Sequence, residues 1–109
     1  MSIRLPRAIE LYLEAENSGD VESLSECFAS DATVRDESRT HRGLAAIKRW
    51  KAQTHRKYQH TVEPLGVERT GERTIVRNRL SGNFPGSPIE LQFAFELDGD
   101  LIKSLEIGP

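Results

Sequence analysis

Near residue 58 of this chain of 109 residues, the spacing of the apolar residues changes from a helical period to a strand period. Before that point, apart from one short stretch that ends at Asp36, apolar residues recur every three or four positions, which is the period of a helix with one buried face. Beyond it apolar and polar residues alternate, most regularly over residues 89–97, which is the period of a strand. Helices followed by hairpin-linked strands predict an α+β fold in which the helices cover one face of an antiparallel sheet.

Three helices are predicted in the first half of the chain. The first covers about residues 3–17, where Pro6 is tolerated because early helical N–H groups have no internal partner. Gly19 can adopt the left-handed conformation that ends this helix, and Asp20 can cap a short second helix. The third helix follows Gly43. The residues predicted to be buried on the three helices are, in turn, Leu5, Ile9, Tyr12, Leu13 and Glu16; Val21, Leu24, Cys27 and Phe28; and Leu44, Ile47, Trp50 and Thr54.

One strand is predicted between the second and third helices, and four are predicted after the third. The early strand ends at Asp36, and a polar loop is expected to connect it to the third helix. Residues 70–73 and the pair Asp98-Gly99 are predicted turns. The later strands are predicted over residues 58–63, 74–82, 89–97 and 101–107, with Tyr58, His60 and Val62 on one face of the first.

Length and composition indicate a single domain spanning residues 1–109. A hydrophobic content of 37% and a charged content of 29% are typical of a globular protein and exclude a disordered chain. Because Cys27 is the one cysteine, an internal disulfide is excluded. The sequence has no apolar run of membrane-spanning length and no secretory signal pattern, so we expect a cytoplasmic protein without a membrane partner.

Positive charge is concentrated in residues 39–57, which contain seven Lys or Arg and no acidic residue. This stretch could attract an anionic ligand, or it could be a solvated helix face balanced by the acidic first third of the chain. Trp50 lies on the apolar stripe of the third helix, so it is expected to be buried and unavailable to stack on a base. We therefore expect no nucleic-acid partner.

Asp36 is the main chemical lead in the sequence. Ala32, Val34 and Asp36 share one face of the early strand, because strand side chains alternate. A carboxylate on an apolar face is costly unless it is hydrogen-bonded or its pKa rises. Asp36 is therefore either a general base that faces a ligand cavity, or a structural acid that accepts hydrogen bonds from its neighbours.

Four other side chains are candidates for a binding or catalytic site. Tyr12 could donate its hydroxyl to a developing oxyanion, or it could be a core tyrosine with a satisfied hydroxyl. His60 could be a second acid or base, or a satisfied core histidine. Trp50 could form an aromatic wall or donate its indole N–H, and Asn78 shares a face with apolar residues, where it needs either a ligand or a neighbouring strand as partner.

No metal or cofactor is predicted. His41, His55, His60 and Cys27 lie on different predicted elements and lack the spacing of metal ligands. There is no Gly-x-Ser-x-Gly nucleophile motif either.

Three motifs, together with the order of the elements, carry a resemblance to a known superfamily. The motifs are Tyr12-x-x-x-x-Asn17-x-Gly19-Asp20, Phe28-Ala29-x-Asp31-Ala32-Thr33-Val34-x-Asp36 and Gly43-x-x-Ala46-Ile47. They resemble the nuclear transport factor 2-like superfamily, and within it they are most similar to the SnoaL-like and ketosteroid isomerase branches. The resemblance implies three N-terminal helices packed on a strongly curved antiparallel or mixed sheet, which forms a cone around an internal cavity. It also implies a homodimer formed through the outer face of the sheet.

The resemblance assigns roles to several of these residues. Asp36 stands at the position of the isomerase's general base, and Tyr12 at that of its oxyanion-hole tyrosine. The isomerase pattern also has a protonated aspartic acid two residues before a Phe-x-Phe pair; here Phe93 begins the pair and Leu91 replaces the acid. Loss of one such donor costs roughly a hundred- to thousandfold in rate, so steroid isomerisation is expected to be weak.

Two functions are compatible with these features. The first is a SnoaL-like enzyme of the isomerase or cyclase type, in which Asp36 transfers a proton on a small apolar compound that bears a carbonyl group. In that case Trp50, His60, Asn78, Leu91 and Phe93 line the pocket. The second is a non-catalytic dimeric domain that binds a small ligand in the same cavity. Asp36 favours the first function, and Leu91 favours the second.

Overall fold

The computed structural model describes residues 4–109. These residues form two α-helices, one 3₁₀ helix and six strands. The elements in chain order are α1 (Arg7–Ser18), the 3₁₀ helix (Val21–Glu26), β1 (Phe28–Asp36), β2 (Arg39–Arg42), α2 (Leu44–Tyr58), β3 (Thr61–Thr70), β4 (Arg73–Ser81), β5 (Ile89–Asp98) and β6 (Leu101–Gly108).

The six strands form one mixed sheet in the order β2-β1-β6-β5-β4-β3. All neighbouring strands are antiparallel except β1 and β6, which are parallel. A parallel pair needs a long crossover, and here the chain between β1 and β6 contains α2 and the four other strands of the same sheet. The predicted α+β class is confirmed. The sheet is not closed, because β2 and β3 lie at its two edges.

The helical region differs from the prediction of three helices. Only α1 and α2 are α-helices within residues 4–109, and the middle element is a 3₁₀ helix of six residues. Asp20 caps it as predicted, by accepting a hydrogen bond from the Glu22 backbone N–H at 3.2 Å. Phe28 was predicted on this helix, but it is the first residue of β1. Over so few residues, the spacing of apolar side chains cannot distinguish the last turn of a short helix from the start of a buried strand.

The ends of α1 also differ in part from the prediction. Ile3, where the helix was expected to begin, lies outside the described residues, and the helix begins at Arg7 with Pro6 as its N-cap. Gly19 ends the helix in the left-handed conformation with a φ of 76°, as predicted. A side chain at Gly19 would also collide with the His55 ring, because an added Cβ would lie 2.6 Å from its Nε2.

The polar loop predicted between Asp36 and Gly43 contains a strand instead. β2 pairs antiparallel with β1, with Asp36 opposite Arg39. Its side chains are exposed or half-buried, so no alternation of apolar residues signals it. Glu37 and Ser38 both have positive φ angles, 52° and 64°, and form the tight turn between the strands.

His60 was predicted on a strand with Tyr58, but neither residue lies on a strand. The helix α2 continues to Tyr58, and Gln59 ends it in the left-handed conformation with a φ of 48°. The Gln59 backbone N–H donates to the His55 carbonyl at 2.8 Å, which closes the last turn of the helix. β3 then begins at Thr61, so His60 lies at the junction of α2 and β3.

The core lies between the helices and one face of the sheet. Tyr12 is at its centre, with ring centroids 5.7 Å from Phe28, 5.6 Å from Phe95 and 6.3 Å from Phe93. The other fully buried side chains around it include Ile9, Leu24, Ala32, Val34, Ile47, Val76, Ile102 and Leu105. None of the helices within residues 4–109 is long and apolar enough to cross a membrane.

Candidate functional site

A cavity of about 380 Å³ lies between the helices, the sheet and the loop of residues 82–88. Its volume falls within the range of small-molecule sites, which is roughly 300–1,000 Å³. Its polar lining residues are Glu16, Asp36, Glu37, Lys51, Thr54, Tyr58 and His60. Its other lining residues are Trp50, Leu80, Phe84, Pro85, Ile89, Leu91, Phe93 and Ile107.

Asp36 lies at the end of β1 with its side chain half-buried at this cavity. Ala32 and Val34, on the same face of the strand, are fully buried, which confirms the predicted apolar surroundings. The Trp50 indole N–H donates to Asp36 Oδ2 at 3.1 Å and so fixes the orientation of the carboxylate. Burial raises the pKa of Asp36, and the hydrogen bond from Trp50 opposes this rise only in part.

Glu16 forms a second acidic centre, deeper than Asp36. Its side chain is 1% exposed, and its Oε1 lies 2.7 Å from Lys51 Nζ and 2.7 Å from His60 Nε2. The Tyr12 hydroxyl donates to the other carboxylate oxygen. Burial opposes ionisation of Glu16, but the Lys51 ammonium and the His60 hydrogen bond outweigh it and lower the pKa of Glu16 to about 2. Glu16 is therefore ionised at neutral pH.

Trp50 connects the two acidic centres. Its N–H binds Asp36, while Lys51 Nζ lies 3.9 Å from its ring centroid, over the face of the indole. An ammonium over an indole face is attracted by the negative electrostatic potential of the ring. The Trp50 indole thus contacts the Asp36 carboxylate at its edge and the Lys51 ammonium at its face.

The loop of residues 82–88 closes one side of the cavity. Asn83 N–H donates to the Tyr58 carbonyl at 2.7 Å, and the Phe84 ring packs edge-on against Tyr58 at 5.8 Å. An added Cβ at Gly82 would lie 2.7 Å from the Tyr58 carbonyl oxygen and 2.9 Å from His60 Cα. The absence of a side chain at Gly82 therefore permits the close approach of this loop to the end of α2 and to His60.

Most of the residues predicted for the site lie together at the cavity, but two do not. Asp36, Trp50, His60, Leu91 and Phe93 all line it.

Tyr12 and Asn78 are not among the lining residues. The Tyr12 side chain is fully buried, and burial, followed by the negative charge of Glu16, raises its pKa well above the usual value. Asn78 is also fully buried, and neither of its amide atoms has a hydrogen-bond partner within residues 4–109.

Two residues of the site, Glu16 and Lys51, were not identified as functional candidates from the sequence. Both lie on the buried stripes of their helices, Glu16 four residues after Tyr12 and Lys51 four residues after Ile47. Opposite charges on the buried faces of two helices that pack on the same sheet are a signal for a buried ion pair. Within residues 4–109, no group of three His, Cys, Asp or Glu side chains is arranged to hold a metal ion.

The chain matches the SnoaL-like domain family over residues 9–104. Among solved structures, it is similar to a Sinorhizobium meliloti protein provisionally named a polyketide cyclase. The two are 39% identical, with a TM-score of 0.90 over 94% of each chain. No curated protein matches the chain in sequence.

Two more distant structures share the fold. One is a Catenulispora acidiphila protein described as having a ketosteroid isomerase-like fold, in complex with trimethylamine. It is 22% identical, with a TM-score of 0.81 over 97% of this chain and 87% of that one. The other is the epoxide hydrolase/cyclase-like enzyme SalBIII, which is 21% identical, with a TM-score of 0.78 over 93% of this chain and 86% of that one. The predicted resemblance is confirmed, and this chain belongs to the SnoaL-like domain family, with a nuclear transport factor 2-like fold.

Proposed function

We propose that this protein is an enzyme of the isomerase or cyclase type that transfers a proton on a small apolar carbonyl compound, with Asp36 as the general base. The observation that carries this proposal is the Asp36 carboxylate at the cavity, oriented by the Trp50 indole. The names of two similar structures, a polyketide cyclase and an epoxide hydrolase/cyclase-like enzyme, support the same class of chemistry.

In this mechanism Asp36 removes a proton from the carbon next to the carbonyl group and returns it to the product. A general base is most effective when its pKa lies close to the working pH. Burial raises the pKa of Asp36, which makes its carboxylate a stronger base than an exposed aspartate. Trp50 holds one carboxylate oxygen, so the carboxylate keeps a defined orientation towards the substrate.

The lining of the cavity supports an apolar substrate. Much of its wall is formed by aliphatic and aromatic side chains of β4, β5, β6 and the loop of residues 82–88. Such a wall binds hydrocarbon rings or chains through burial of apolar surface. Tyr12 does not line the cavity, so we propose that it acts on the site through its hydrogen bond to Glu16.

A second candidate function is a non-catalytic, dimeric domain that binds a small ligand in the same cavity. The observation that favours it is Leu91, an apolar side chain that lines the cavity where the isomerase pattern has a proton-donating acid. Without that donor, the cavity retains its ligand-binding wall but lacks one group that stabilises an oxyanion.

The Asp36→Asn substitution distinguishes the two functions. We propose to measure the exchange of the α-protons of 2-tetralone, an apolar enolisable ketone, for deuterium by NMR. If Asp36 is the base, the wild-type protein accelerates this exchange and Asp36→Asn lowers the acceleration by roughly 10²–10⁴-fold without weakening ketone binding.

The matched control is Asp31→Asn, which removes an exposed carboxylate from the same strand and should leave the exchange unchanged. Equal exchange rates for wild-type and Asp36→Asn proteins, with ketone binding retained in both, would exclude Asp36 as the base and favour the binding domain.

A further inference from the structure

The ammonium group of Lys51 is buried at the cavity with few hydrogen-bond partners. Its side chain is 2% exposed and is one of the residues that line the cavity. An ammonium has three N–H donors. Among the residues that the structure describes, its one ion-pair partner is Glu16, whose Oε1 lies 2.7 Å from Lys51 Nζ, and that oxygen is shared with His60.

This arrangement leaves N–H donors of Lys51 without an acceptor among the described residues. A buried charge is costly unless its hydrogen bonds are satisfied. A lysine that served only to neutralise Glu16 could meet its carboxylate away from the cavity. Because Lys51 instead lines the cavity, an oxygen atom of a bound ligand can accept the remaining N–H bonds.

We propose that Lys51 binds the carbonyl oxygen of the substrate and stabilises the negative charge that develops there. This inference rests on the proposed function, since it places the substrate of Asp36 in the same cavity. The C–H bond next to the carbonyl breaks, its proton passes to the Asp36 carboxylate, and the electron pair moves onto the oxygen held by Lys51. Asp36 then returns the proton to carbon, and the carbonyl group re-forms.

The geometry around Trp50 suits this division of roles. Asp36 lies at the edge of the indole and Lys51 lies over its face, so the base and the cation occupy different sides of one rigid ring. A substrate beside Trp50 can therefore present its acidic carbon to Asp36 and its oxygen to Lys51. Lys51 would supply the electrostatic stabilisation that Leu91 cannot.

Glu16 and His60 are positioning residues in this scheme. Glu16 forms the ion pair with Lys51, accepts a hydrogen bond from the Tyr12 hydroxyl and lies 2.7 Å from His60 Nε2, and these contacts hold the ammonium in place at the cavity. The substrate class that follows is an enolisable ketone, whose oxygen acquires negative charge, and a phenolate is a stable mimic of the enolate.

The probe that tests this inference is 4-nitrophenol, whose phenolate form resembles an enolate and has its own absorbance. At a pH where the free phenol is largely ionised, we expect wild-type protein to bind the phenolate. The double variant Glu16→Gln/Lys51→Met removes the cation without leaving Glu16 unpaired. It should bind the phenolate about ten- to a hundredfold more weakly, the range for a hydrogen bond to a charged group.

Two controls exclude trivial explanations. Nitrobenzene, which has no ionisable oxygen, should bind equally to the wild-type and double-variant proteins, and this result also verifies that the variant folds with its cavity intact. Lys48→Met removes a positive charge from the same helix outside the cavity and should leave phenolate binding unchanged. Lys51→Arg retains the charge and should retain the preference for phenolate over nitrobenzene.

Unchanged phenolate binding by the double variant would overturn the role of Lys51, whatever the behaviour of Asp36→Asn in proton exchange. Conversely, Asp36→Asn retains the cation and should still bind the phenolate. A protein in which Asp36→Asn leaves exchange unaffected while phenolate binding still depends on Lys51 would contradict the proposed base but support the oxygen site.

Discussion

Glu16 and Asp36 line the same cavity, yet their surroundings shift their pKa values in opposite directions. Glu16 is the more deeply buried of the two, and its pKa is lowered to about 2 because Lys51 and His60 outweigh its burial. Asp36 is only half-buried, yet burial raises its pKa, and the hydrogen bond from the uncharged Trp50 indole offsets this rise only in part. The nature of the partner, rather than the depth of burial, therefore decides the direction in which each pKa shifts.

This difference suggests different roles for the two acids. A permanently ionised Glu16 anchors neighbouring side chains and does not exchange protons near neutral pH. Asp36 is held by a neutral donor and can accept and release a proton with less electrostatic cost. Two acids whose environments separate their pKa values are typical of sites in which one acts chemically and the other electrostatically.

The largest predicted effect is the loss of stability in Glu16→Gln. Removal of the carboxylate leaves the buried Lys51 ammonium without its anionic partner, and we expect the free energy of unfolding to fall by about 3–5 kcal/mol. Urea unfolding measures this change. The exposed carboxylate of Glu90 is the control, and Glu90→Gln should cost less than about 1 kcal/mol. A similar small loss in Glu16→Gln would contradict the view that the Glu16 pair is a buried electrostatic anchor.

Acid should destabilise the protein through Glu16. Its folded-state pKa of about 2 lies below the ordinary value of 4.5, so its contribution is fully present above pH 4.5 and is lost as the pH falls towards 2. The loss attributable to Glu16 is about 3 kcal/mol, since one pKa unit corresponds to about 1.4 kcal/mol. Urea unfolding at several pH values measures it, and Glu16→Gln should lack this part of the pH dependence. The same acid sensitivity in the variant would assign it to other groups.

The smallest predicted effect is that of Asp36→Asn on stability. For an acid with a raised folded-state pKa, ionisation favours the unfolded chain, so stability decreases as the pH rises through the pKa. The amide avoids this loss and can still accept the Trp50 hydrogen bond. We expect the free energy of unfolding at neutral pH to remain unchanged or to rise by less than about 1 kcal/mol. A large decrease would indicate that Asp36 is a structural acid.

Strands with alternating apolar residues were predicted well from the sequence. β4, β5 and β6 lie close to the predicted ranges, and the face of Asp36 was predicted from its two apolar neighbours. These features depend on local periodicity, which a single sequence contains. β2 was missed because an edge strand is held by backbone hydrogen bonds and its exposed side chains show no pattern.

The position of His60 shows a different reason for error. The alternation of Tyr58, His60 and Val62 predicted a strand, but the helix α2 extends to Tyr58 and turns at Gln59. Packing and the last hydrogen bond of the helix, from the Gln59 N–H to the His55 carbonyl, stabilise helix here although the sequence alternates like a strand. As a result His60 reaches Glu16, a contact between residues 44 positions apart in sequence.

The sequence by itself determined the α+β class, the boundaries of most later strands and the apolar surroundings of Asp36, because each depends on the spacing of nearby residues. Only the tertiary structure decided that Glu16, Lys51 and His60 meet at the cavity containing Asp36. These side chains come from separate elements, and their contact depends on how the two helices and the sheet pack. The physical reason is that periodicity specifies which face of an element is buried, whereas packing between elements specifies which buried groups become partners.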